Sequence, residues 1–139
     1  MEKIYSNIDS SVLLHIIHSA DDFVQPRNDI VPATQFIQLA CLKMPKGKTF
    51  RPHKHIWKPV QHEESIAQES WVVVKGSVRC YFYDTDDTLL VTKTLNPGDC
   101  SITLQGGHNY EILEENTLVY EYKTGPYLGQ ENDKEFLND

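Results

Sequence analysis

From Trp71 onward the chain alternates short β-branched and aromatic runs with turn residues, and that rhythm leaves few folds open to it. Trp71-Val72-Val73-Val74-Lys75 ends at Gly76-Ser77, and Val78–Tyr83 follows at once, which predicts a hairpin. Asp84-Thr85-Asp86-Asp87 then precedes Leu89–Leu95, and Asn96-Pro97-Gly98-Asp99 precedes Cys100–Leu104. His108–Leu113 and Thr117–Tyr122 complete the series. Side chains of this kind suit a half-buried pleated surface, while Gly, Pro, Asn and Asp supply the turns between. Short strands at close, even spacing predict an all-β antiparallel sandwich or small barrel. No amphipathic helix of three turns is visible. The first third is plainer: Val12–Ile17 and Gln35–Leu42 read as strands, Gln25–Asp29 as a loop, and Pro45-Lys46-Gly47-Lys48 as a turn. After Gly125-Pro126 the tail is polar and acidic, with Lys134–Leu137 fitting one helical turn. No repeat or linker interrupts residues 1–139, so one domain is expected.

Charge excludes some partners. Residues 1–70 carry eight basic and eight acidic side chains, whereas residues 71–139 carry five and twelve, for a net charge of -7. Nucleic acid and anionic membrane reward clustered Lys and Arg, so neither is expected as a partner. No run has the length of a membrane span, and from the polar start Met1-Glu2-Lys3 no signal peptide is expected. Cys41, Cys80 and Cys100 form no CxxC pair. Reduced structural thiols in a cytoplasmic protein are therefore the expectation.

The chemistry concentrates between Gly47 and Gly76. His53 and His55 are one residue apart, and on an extended segment such a pair points to one side. A carboxylate and a third imidazole on that side would complete a nitrogen/oxygen site of the kind divalent transition metals prefer. His108, after Gly106-Gly107, is a further pocket candidate, because glycine lets backbone approach something closely. His15 and His18 show no partner pattern and read as structural. Asp84, Asp86 and Asp87 lack the glycine and distal glutamate of a calcium loop and read as a solvated turn.

The order Gly47-x5-His53-x-His55, Glu69-x6-Gly76, then Gly98-Asp99, Gly106-Gly107-His108 and Asn116 resembles the two motifs of the cupin superfamily over roughly residues 35–122. The resemblance implies a double-stranded β-helix, a jelly-roll-like barrel with short N- and C-terminal extensions. It also implies a divalent metal (Zn, Fe, Mn, Ni or Co) held by His53, His55, Glu69 and His108. Two features depart from the usual pattern. Thirteen residues separate His55 from Glu69, and Leu104-Gln105 stands where a proline is common. The inserted stretch Ile56–Glu64 would overhang the barrel mouth, and His62, Glu63 or Glu64 could replace Glu69. Trp71–Gly76, Gly106-Gly107-His108 and Lys123–Gly129 together look similar to small WbuC-type cupins of surface-polysaccharide biosynthesis.

Strand parity puts Trp71 and Val73 with Glu69, and Tyr110 and Ile112 with His108, so these side chains are expected to line one pocket suited to a sugar ring. Lys46, Lys48, Arg51, Lys54 and Lys58 surround the His53/His55 pair, and Arg51 shares their parity. Arg51 is thus a candidate for an anionic sugar ligand. Three readings stay open. One is a metal-binding cupin that acts on or binds a small saccharide or nucleotide sugar. Another is a metal-free sugar-nucleotide isomerase or epimerase, with His53 or His55 as acid/base and Tyr110 as partner. The third is a non-catalytic ligand-binding module. Edge strands of a small barrel favour pairing between subunits, so a homodimer involving the N-terminal strand is expected.

Overall fold

The computed structural model describes residues 1–23, 26–57 and 65–137. Among the described residues ten strands run in chain order: β1 Glu2–Tyr5, β2 Leu13–His18, β3 Arg27–Asp29, β4 Ala40–Leu42, β5 Glu69–Lys75, β6 Val78–Tyr83, β7 Leu89–Leu95, β8 Cys100–Thr103, β9 His108–Ile112 and β10 Leu118–Lys123. All pairings are antiparallel. One sheet has the order β1-β2-β8-β5-β10, a second β7-β6-β9, and β3 pairs with β4. The architecture is all-β and sandwich-like. No helix among the described residues is long and apolar enough to cross a membrane.

The larger sheet is buried on both faces at its centre, which explains why β2 and β8 carry almost no exposed residues. Residues paired across a ladder share a face. Ile4, Ile17 and Val73 on one face pack with Val78, Cys80, Phe82 and Leu95 of the smaller sheet. Ile16, Cys100 and Ile102 on the other face pack with Ile30, Val31 and Cys41 around the β3–β4 pair. All three cysteines are free and buried. Burial pushes the Cys80 and Cys100 thiols up to about 12, so both are inert as nucleophiles at neutral pH.

Several expectations are corrected by the pairing. β5 and β6 do not form a hairpin. Gly76, at φ 78°, carries the chain from one sheet to the other, and Thr117 stands where a side chain on it would lie. The proposed strand over Gln35–Leu42 contracts to β4, because the Gln35 amide closes a turn onto the Pro32 carbonyl and Gln38 bonds the Pro32 and Gln35 carbonyls. Arg27–Asp29, read as loop, is β3, and β1 gave no signal at all. The helical turn in the tail falls at Gln130–Asn132 rather than Lys134–Leu137. Asp84 is not a solvated turn residue. It is buried, and its carboxylate accepts from the Ser6 hydroxyl and the Asn7 amide, tying the loop after β1 to the β6–β7 turn.

Phe82 is fully buried between the sheets. Phe82→Ala should cost about 3–5 kcal/mol of stability, the usual range for emptying an aromatic site. Urea denaturation measures this, and an unchanged midpoint would contradict the packing described.

Candidate functional site

The inner face of the larger sheet changes character along its strands. His15 pairs with Thr103, Thr103 with Glu69, and Glu69 with Lys123, so four strands contribute one transverse row of polar residues. Next to it runs Ile17, Ser101, Trp71 and Glu121. On the facing sheet His108 pairs with Phe82, and Tyr110 with Cys80. The two sheets thus bring Glu69 and His108 together, and His108 Nε2 stands 3.2 Å from Glu69 Oε1. Because the carboxylate only accepts, Nε2 is the donor, and His108 Nδ1 is buried with no partner among the described residues.

Burial pushes the Glu69 carboxyl up. The hydrogen bond and charge of His108, with the charges of Lys123 and Lys134, outweigh this and hold it below the usual carboxylate range. Both side chains line a cavity of about 390 Å³ that also contains Thr85, Thr103, Gln105 and Gly107. Gly106, at φ 78°, is required here. A Cβ on it would stand 2.4 Å from the Tyr83 carbonyl oxygen.

His15 adjoins this pair and was not legible as a site neighbour in the sequence. It is fully buried, 4.8 Å from Phe82 ring to ring, with Nε2 donating to the Tyr83 carbonyl at 3.0 Å and Nδ1 3.1 Å from the Thr103 hydroxyl. Both nitrogens are used, so His15 is a structural wall of the site rather than a free ligand. Burial lowers its pKa to about 4, assisted by His108 and opposed by the Tyr83 carbonyl and Asp84.

Tyr110 and Trp71 face inward as parity predicts, but they stack on each other, centroids 4.0 Å apart and planes within 7°. They pack with the core one step along from Glu69 and His108. Tyr110 Oη hydrogen-bonds Ser101 Oγ at 3.0 Å, and burial pushes its phenol far up, leaving it a poor proton donor at neutral pH. Val73 is in the core, and Ile112 is half exposed at the sheet end.

His53 and His55 do share a side, with rings 5.5 Å apart, but their segment is exposed and forms no strand. His53 Nδ1 donates to the Arg51 carbonyl, and Arg51 itself is exposed. His62, Glu63 and Glu64 lie outside the described residues, as does most of the overhanging insertion. Among the described residues no group of three or more His, Cys, Asp and Glu is placed to hold a metal ion; Glu69 and His108 meet, while His53 and His55 meet each other. Comparison with family models, curated proteins and solved structures finds no match.

A neutral, buried His15 makes stability pH-dependent. Its folded pKa of about 4 lies below the unfolded value of about 6.5, so its contribution is complete above pH 6.5 and is lost as pH falls toward 4. The loss is roughly 3 kcal/mol at most. His15→Gln should remove this part of the slope. Denaturation midpoints of both proteins between pH 7 and 4.5 measure it, and parallel profiles would show that His15 does not titrate this way.

Proposed function

We propose that the sheets close as a double-stranded β-helix of the cupin kind, and that the chain binds a divalent metal beside a small polyhydroxylated ligand of the saccharide class. The contact between Glu69 and His108 in the cavity carries this reading. Metal bonds of about 2.0–2.2 Å place neighbouring donors about 3 Å apart, and the two donor atoms lie 3.2 Å apart. Glu69, held ionised, and His108, whose Nε2 would release its proton to take an ion in place of the hydrogen bond, suit one ion. The cupin resemblance would add His53 and His55 as further imidazoles, but neither is among the described residues that line this cavity. An ion held there would polarise a carbonyl or acidify a bound water.

The surroundings select the ligand. Thr85, Thr103 and Gln105 offer neutral hydrogen-bonding groups to hydroxyls. Glu69, Asp84, Asp87, Asp133 and Glu135 line the same space against Lys134 and His108. That balance favours a cation and a neutral sugar over a diphosphate. Arg51, the candidate for an anionic ligand, is not among the described residues that line this cavity.

The hydrogen bond itself supports a second reading, in which Glu69 orients His108 as acid/base in a metal-free isomerase or epimerase. The acidic lining opposes a nucleotide diphosphate, which places this reading second.

Calorimetric titration of untagged protein with Co²⁺ should show one site, weakened more than about tenfold by Glu69→Ala and by His108→Ala. Absence of binding, or variants that bind like the parent, would overturn the metal reading. Solvent-deuterium incorporation into a keto-sugar nucleotide by metal-stripped protein, abolished in His108→Ala, would establish the second reading instead.

A further inference from the structure

The C-terminal segment is built into the cavity wall. Lys123 ends β10 and is the register partner of Glu69. Its Nζ donates to Asp133 Oδ2 at 2.6 Å, with both side chains mostly shielded, and the same ammonium lies 4.5 Å over the Tyr127 ring. The hydrogen bond to Asp133 holds the Lys123 ammonium above its ordinary range. The tail is thereby fastened beside the site carboxylate. Four residues on, Leu137 seats against Gly107, where a Cβ would come within 2.7 Å of Leu137 Cδ1. Between these points Asp133, Lys134 and Glu135 line the same cavity as Glu69 and His108.

We propose that residues 133–137 are a strap over the cavity, held by the Lys123–Asp133 pair and the Leu137–Gly107 contact, and that its release governs access to Glu69 and His108. Both fasteners are side-chain contacts, whereas the sheets beneath are held by backbone ladders. Beyond β10 the described tail contains no strand and a single turn of 3₁₀ helix. Segments with few buried apolar contacts open locally without unfolding the rest. The absence of a side chain on Gly107 makes the seat for Leu137, so the site loop and the strap are matched to each other. The identity of what enters rests on the function proposed above; the strap does not.

Carbethoxylation of the full chain by diethyl pyrocarbonate, read residue by residue by mass spectrometry, tests this without a ligand. His55 is exposed and reports the reagent, while the buried His15 and His18 report global loosening. In Asp133→Asn, which loses a charge-assisted contact, and in Leu137→Ala, which loses buried apolar surface, the rate at His108 should rise on the order of tenfold. Gly107→Ala should do the same by displacing the Leu137 side chain. His15 and His18 should stay protected throughout. Equal His108 rates in parent and variants, or acceleration that His15 and His18 share, would overturn the strap. Co²⁺ dissociation should quicken in the same variants; a protein that binds no Co²⁺ refutes the metal reading and leaves the His108 rates to decide the strap.

Discussion

His15, Thr103, Glu69 and Lys123 form one rung across four strands of the larger sheet, and the candidate site exists because that rung is polar. Nearer the middle of the sandwich the inward residues are mainly apolar, buried Ser101 being an exception, and pack the two sheets together. A polar rung buried between sheets must find partners or lose several kcal/mol. His15 spends both nitrogens on Thr103 and the Tyr83 carbonyl. Glu69 takes His108 from the opposite sheet. The sheets are therefore joined at this end by hydrogen bonds rather than by close packing, and a cavity opens there.

The same end holds further close backbone contacts and a buried charge. Gly106 brings the chain against Tyr83, Gly107 receives Leu137, and Asp84 anchors the loop after β1. Burial works against the Asp84 carboxylate, yet hydrogen bonds from Ser6, Thr85, Asn7 and Ile8 hold its pKa low. Asp84 is thus a committed structural anion inside the site wall. Glu69 differs, because its principal partner is an imidazole whose other nitrogen has no partner among the described residues.

Period-two alternation was enough to put Glu69, Trp71 and Val73 on one side of β5, and His108 and Tyr110 on one side of β9. Turn residues located β7 to β10 closely. Alternation does not say which strands pair, and this is where the sequence became silent. β2 meets β8 across more than eighty residues, so His15 could not be placed beside Thr103, nor Asp84 beside Ser6. The short step from Lys75 to Val78 suggested a hairpin, although the two strands belong to different sheets. Trp71 and Tyr110 face inward as parity requires, but parity could not foresee that they satisfy each other's ring faces. For His53 and His55 the one-residue spacing did bring the rings together, but both are exposed, which no local pattern records.

The most direct measurement concerns the bond joining the two sheets at the site. Long-range proton–nitrogen NMR of the imidazoles reports which nitrogen of His108 carries the proton. The account requires a protonated Nε2 facing Glu69, with its resonance displaced in Glu69→Gln and those of His15 little changed. A His108 protonated at Nδ1 alone, or indifferent to the loss of the Glu69 charge, would show that these residues do not meet.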